Sequence, residues 1–499
     1  MLLPAFLDTA SRHGGKLAIR DVRREVTYNQ LVVAAAALKR FIESETRREN
    51  VGILLPSTAA FAASFYGGLW AGKTVVPLNF LLHPTELKAV VADSGVDLIL
   101  TCNHFEDLVR QLPARPAFLE RIGLKWRYLL SKIRSFPPVP AVQPDDLAVI
   151  LYTSGTTGMP RGVCLSHRNL YHDVMACIEH TRMDPEQRFL GVLPLFHTFG
   201  LTALLLAPTI LGASCSYHAR FQPLDVLRTL AEDRISIFIA IPSMYAALAR
   251  AKSASPEIFR SLRLPISGGE PLSPDLYDEY RDRLGVTILE GYGLTETSPV
   301  VAVNLPWANR AGTVGTPLPG VEVMVAGEDG RPVSPGESGE ICVRGPTVMR
   351  GYYNRPDDTA AVLGPDGWLH TGDLGRIDPD GFLSITGRKK DLIIVGGENV
   401  FPREVETVLE QHPAVAESSV IGISDPSRGE VVVGFVIPRE GASVTPLELR
   451  DYCRDRLAGF KVPRQIIIDR DLPRGPTGKV LKRVLRARMQ DRQACVGVS

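Results

Sequence analysis

Between residues 51 and 101, short β-rich apolar runs alternate with helical stretches. Val51-Gly-Ile-Leu-Leu55, Thr74-Val-Val-Pro77 and Asp97-Leu-Ile-Leu-Thr101 read as buried strands; 59–71 and 84–94 read as helices. Strands that alternate with helices pair in parallel, and the helices cover the sheet, so the fold class is α/β with doubly wound subdomains. Glu25-Val-Thr-Tyr28, an Ala-rich helix over 31–42 and a strand over 146–152 extend the pattern, which runs to about residue 300. Ser166 is placed to cap a helix reaching Glu179. Phe136 to Pro144 is a proline-rich connector. After residue 320 the texture changes. Val321–Ala326, a Gly327-Glu-Asp-Gly330 turn and Gly339–Arg344 predict antiparallel strands. A compact α+β unit follows Leu392-Ile-Ile-Val395, with a strand over 431–437.

A chain of 499 residues exceeds what one core serves, so more than one domain is expected. Lys plus Arg number 56 and Asp plus Glu 55, which gives no whole-chain attraction to nucleic acid or anionic membrane. The seven cysteines form no Cys-x-x-Cys pair, so disulfide and zinc frameworks are not expected and a reducing, cytoplasmic setting fits. The start lacks a basic stretch before an apolar run, so no signal peptide is expected. Leu201 to Tyr217 is uncharged but interrupted by Pro208 and Gly212, which favours a buried core segment over a membrane span.

The strand ending at Tyr152 feeds Thr153-Ser154-Gly155-Thr156-Thr157-Gly158, with Arg161 behind it. Glycines let backbone N–H groups crowd one anion and hydroxyls add donors, so this is a phosphate cradle. It is neither a Walker loop, which needs Gly-Lys-Ser/Thr, nor a Gly-x-Gly-x-x-Gly turn. Gly291-Tyr292-Gly293-Leu-Thr295-Glu296-Thr297 follows an apolar run read as a strand over 286–289, and offers a stacking ring and a carboxylate suited to Mg²⁺ beside a triphosphate. Ser267-Gly268-Gly269-Glu270 is a second glycine segment. Trp368-Leu-His-Thr-Gly-Asp373 reads as a tight turn whose Asp can accept ribose hydroxyls. Gly387-Arg388-Lys389-Lys390-Asp391 precedes a strand, and Pro473–Lys479 is a Gly/Pro loop ending in lysine. Residues 454–492 hold 12 Lys/Arg against 4 Asp/Glu, a skew that suits a lid over polyanions.

In this order and spread, the motifs resemble those of the adenylate-forming superfamily: acyl- and aryl-CoA synthetases, luciferases and adenylation domains. Arg161 departs from that family's usual lysine while keeping the charge. The resemblance implies an N-terminal adenylation domain over 1–387, a hinge at 388–391 and a C-terminal lid over 392–499. It assigns phosphate contacts to residues 153–158 and Arg161, and one wall of the adenine and acyl pockets to Gly268, Gly269 and Glu270. Gly291, Tyr292 and Gly293 would meet adenine, Thr295 and Glu296 phosphate and metal, and Asp373 with Arg388 the ribose. Lys479 would bridge the substrate carboxylate and α-phosphate. His197, in Pro194-Leu-Phe-His-Thr-Phe-Gly200, would gate the acyl pocket. Lys390 would be the pivot, and Gly396 and Gly397 would line a pantetheine tunnel.

The activity so implied is ATP-dependent conversion of a carboxylic acid to acyl-AMP, then transfer to CoA. Apolar and aromatic segments at 197–206 and 241–245 point to a medium- or long-chain fatty acid, then an aryl acid; malonate would need a cation such as Arg234. Loading of an acyl carrier protein and a non-catalytic ligand-binding module are the alternatives.

Overall fold

The computed structural model describes residues 1–22, 24–153, 160–425, 427–474 and 480–496. These fall into two compact units: residues 1–272, 277–323 and 343–370, and residues 273–276, 324–342 and 371–499. The expected hinge, 388–391, lies within the second unit.

The first unit contains two large sheets. One has nine strands, in the order 316–317, 300–303, 289–293, 264–267, 237–240, 188–191, 214–217, 17–21 and 24–27. Its central pairs, from 289–293 across to 17–21, are all parallel. The other has seven, in the order 351–352, 161–166, 147–153, 74–77, 50–54, 98–101 and 115–118. Its strands from 147–153 to 115–118 are parallel, while 147–153 and 161–166 form an antiparallel hairpin. The strands 50–54 and 98–101 are buried along their whole length, which explains their unbroken apolar runs. Ser166 caps the helix His167–Thr181 through the backbone of Asn169. Leu201–Leu206 is a π-helix continuing into Ala207–Leu211, largely buried and too short to cross a membrane. Among the described residues no helix is long and apolar enough to do so.

In the second unit, the strand pair Val415–Asp425 and Gly429–Pro438 centres a sheet with helices on both faces. Adjacent residues point to opposite sides. Val420, Val432 and Val436 pack with Val405, Leu409 and Leu449. Ile421, Val433 and Phe435 pack with Leu472, Leu485 and Met489. Strands 322–326, 339–344, 369–377 and 383–388 form the further sheet announced by the change of texture. The six described cysteines are free.

Two local expectations are corrected. The strand read over 286–289 runs instead over Leu289–Gly293 and carries the glycine motif itself. Pairing of Gly291 with Val303 and Tyr292 with Ala302 holds those glycines extended. Asp373 is not in a tight turn: it lies in strand Leu369–Ile377, opposite Arg388.

Candidate active site

Parallel α/β sheets bind ligands outside the carboxyl ends of their strands. Here strands 188–191, 237–240, 264–267 and 289–293 lie side by side and parallel, and the segments that follow them are the predicted ones. A Cβ built on Gly268 would stand 3.2 Å from the Phe199 ring and 3.3 Å from the Gly291 carbonyl oxygen, so these three segments meet closely. Gly269 has a φ of +83°, which favours glycine, and faces Ile241. A Cβ on Gly293 would overlap the Pro299 carbonyl.

Three buried polar atoms here have no hydrogen-bond partner among the described residues: Ser267 Oγ, Thr198 Oγ1 and His197 Nε2. Buried polar groups are ordinarily satisfied, so such a cluster marks a place prepared for a ligand or water. Desolvation lowers the His197 imidazole to about 4. The ring is therefore neutral near pH 7, a hydrogen-bonding group rather than a cation.

Glu296 occupies the short turn Thr295–Thr297. Its backbone carbonyl accepts from Met349 N at 2.9 Å, and its Oε1 accepts from the Tyr352 hydroxyl at 2.9 Å. Burial and the carboxylate push the Tyr352 phenol well up, so it remains a donor. The same ring lies 5.5 Å from the Arg161 guanidinium carbon, and Arg161 Nε is 3.3 Å from Asp358 Oδ2. Arg161 pairs in register with Thr153 at the root of the loop expected to hold phosphates. One chain of contacts thus joins that root to Glu296. The turn is braced from behind: Asp173 Oδ1 accepts from Val300 N at 2.9 Å, and Thr202 donates to the Ser298 carbonyl at 3.0 Å. Burial pushes the Asp173 carboxyl well up. Ser154, Gly155, Thr156, Thr157, Gly158 and Lys479 lie outside the described residues.

In the second unit, Arg388 Nε is 3.0 Å from the buried Asp373 Oδ1. Lys389 pairs with Glu340 at 3.0 Å and Arg486 with Asp391 at 3.0 Å. Burial, then repulsion from Arg388, lowers the Lys390 ammonium. Gly396 and Gly397, with φ of +62° and +89°, form the two-residue turn between strands Ile393–Val395 and Glu398–Val400. Of the 12 basic residues at 454–492, seven are ion-paired among the described residues. Arg454, Lys461, Arg464, Arg474, Lys482, Arg486 and Arg488 each pair with a carboxylate.

Sequence reasoning missed Tyr352, Asp358 and Asp173. None stands in a motif, and Tyr352 is 56 residues from Glu296. The only signal was the aromatic pair Tyr352-Tyr353 after a glycine.

The chain is similar to known proteins along most of its length. Residues 6–353 match the family model described as AMP-binding enzyme, and 404–479 that described as AMP-binding enzyme C-terminal domain. A feruloyl-CoA synthase from an Amycolatopsis species is 36% identical over 484 residues, covering 96% of each chain. A long-chain-fatty-acid–CoA ligase from Bacillus subtilis is 33% identical over 519 residues, covering 96% of this chain and 92% of that one. The crystal structure of ATP-bound MatB from Rhodopseudomonas palustris is similar with a TM-score of 0.91 at 31% identity, covering 98% of this chain and 99% of that one.

Proposed function

This chain belongs to the AMP-binding enzyme family, and from that premise we propose that it joins an apolar carboxylic acid to CoA through an acyl-AMP. The enzyme is an AMP-forming acid–thiol ligase of the acyl-CoA synthetase type. The observation that carries the reading is the chain of contacts from Arg161 through Tyr352 to Glu296. It gathers a fixed cation, a phenol and a carboxylate beside the loop expected to hold phosphates.

The chemistry explains these parts. A carboxylate is a poor acyl donor until its oxygen carries a good leaving group. Its attack on the α-phosphorus of ATP forms the acyl–phosphate bond and expels pyrophosphate. Two anions must meet, so fixed positive charge and donors lower the barrier. Arg161 and the backbone of 153–158 serve the leaving phosphates; Lys479 serves the α-phosphate and the incoming carboxylate. The acid is already ionised near neutral pH, so no general base is required. Mg²⁺ keeps few protein ligands beside nucleotide phosphates. Glu296, with Tyr352 on Oε1, fits that demand, and the ion supplies charge neutralisation there. In the second step the CoA sulfur bonds to the acyl carbon and AMP leaves. Asp373 and Arg388 hold the ribose, Lys390 is the pivot, and Gly396 and Gly397 present backbone to pantetheine.

Phe199 and Ile241 beside the two glycines support an apolar acyl group. A medium- or long-chain fatty acid is the first choice. An aryl acid takes second place, since a flat ring packs well against a phenylalanine such as Phe199. Pyrophosphate release should be followed across fatty, aryl and dicarboxylic acids, with CoA and then with an acyl carrier protein as acceptor. The expected result is release with apolar acids and a thioester on CoA. Thioester on the carrier protein alone would replace the acceptor, and absence of release with every acid would overturn the enzyme reading.

A further inference from the structure

We propose that the helix Leu124–Ile133 is a docking face for an anionic phospholipid bilayer. Its inner side is fixed. Ser131, buried, accepts from Arg40 at 2.8 Å; Arg40 also donates to the Ser135 carbonyl at 2.8 Å, and the Arg127 guanidinium lies 5.0 Å over Phe41. Downstream, Trp70 donates to the Pro138 carbonyl at 3.2 Å. The outer side is apolar and bare: Trp126 is 73% exposed, Leu129 50%, Leu130 43% and Ile133 82%, with Phe136 at 54% beyond. Positions 126, 129, 130 and 133 repeat at the spacing of one helix face. Single exposed apolar residues are ordinary, but a contiguous stripe of large ones marks an interaction surface.

The flanks say what that surface meets. At 100° per residue, Lys125 and Lys132 fall along one border of the stripe, both exposed, and the exposed Arg134 follows the helix end. Residues 121–144 contain no Asp or Glu. A bulky apolar stripe with a tryptophan, bordered by long cationic side chains, matches an interfacial helix: the apolar groups enter the acyl boundary while the cations reach the phosphates. A second copy of this face is disfavoured, because pairing it with itself opposes like charges with no carboxylate between 121 and 144 to separate them.

The test uses the full chain with vesicles of phosphatidylcholine containing phosphatidylglycerol, and with pure phosphatidylcholine vesicles. Cosedimentation is expected on the anionic vesicles, about tenfold weaker on the neutral ones and weakened by added salt. W126E with I133E should abolish it, and K125E with K132E should weaken it about tenfold, while activity on a water-soluble acid without vesicles stays unchanged. Equal binding to both vesicle types, equal binding by the W126E/I133E variant, or no binding by the native chain would overturn the proposal. Self-association of the native chain relieved by W126E/I133E, without vesicle binding, would assign the face to a second copy instead.

Discussion

Glu296 and Asp373 are both carboxylates proposed to serve one nucleotide, and their settings differ. Glu296 accepts from a neutral phenol and sits in a turn whose backbone is held by Met349, with Asp173 and Thr202 bracing the residues that follow. Asp373 is tied to Arg388, itself 40% exposed, and the neighbouring Lys389 and Asp391 are likewise tied by ion pairs. Hydrogen bonds from buried groups fix one geometry and are costly to leave unmade. In the second setting the carboxylates are the enclosed partners, Asp373 being buried, while the Arg388 and Lys389 side chains are 40% and 65% exposed, so the cations can exchange partners at little cost. The first setting suits a template for one transition state, the second a segment that serves two successive steps.

The strongest challenge to this contrast is E296A. ATP–pyrophosphate exchange should fall by on the order of 10²-fold or more with the fold intact by circular dichroism. A loss below tenfold would remove Glu296 from the metal and phosphate role. Next comes K390P. Exchange should change little while thioester formation from supplied acyl-AMP falls about 10²-fold, the scale of a misplaced catalytic group. Equal loss in both half-reactions would erase the difference between the two settings.

A third measurement probes the buried setting through pH. His197 has a folded-state value of about 4, below the usual 6.5, so between those values the unfolded chain binds the extra proton. The neutral ring's contribution is complete above about pH 6.5 and disappears as pH falls toward 4, at about 3 kcal/mol in total for that site. H197N should flatten the acid side of the urea-midpoint profile; an unchanged acid side would place the imidazole in solvent. The smallest effect belongs to R161K. Arg161 is held by its pair with Asp358 and by the Tyr352 ring, and lysine keeps the charge, so kcat/KM for ATP should change by no more than about fivefold. A larger loss would show that the phosphates need the forked donors of the guanidinium and not only its charge.

Short-range patterns were legible in the sequence. The alternation over 51–101, the Ser166 cap and the antiparallel strands after 320 all depend on residues close in the chain. The motifs are short-range in the same way, which is why they can be read along the chain. What failed was pairing. Thr371-Gly-Asp373 has turn chemistry, yet register with Arg388 keeps Asp373 in a strand. Glycines discourage a strand over 289–293 until 300–303 pairs with it. Tyr352 reaches Glu296 only after two elements fold together, and no local pattern announces that. Whole-chain charge balance does not register the acid-free stretch 121–144, and a count of basic residues at 454–492 does not show that seven of them meet carboxylates.

The contact between Gly293 and the Pro299 carbonyl has a consequence for anyone reshaping this enzyme. That position admits one amino acid, and the motif strand around it moves only with its paired neighbour. Libraries meant to test the proposed acyl pocket should therefore leave Gly293 untouched and draw their diversity from Phe199 and Ile241, whose side chains rather than backbone meet Gly268 and Gly269.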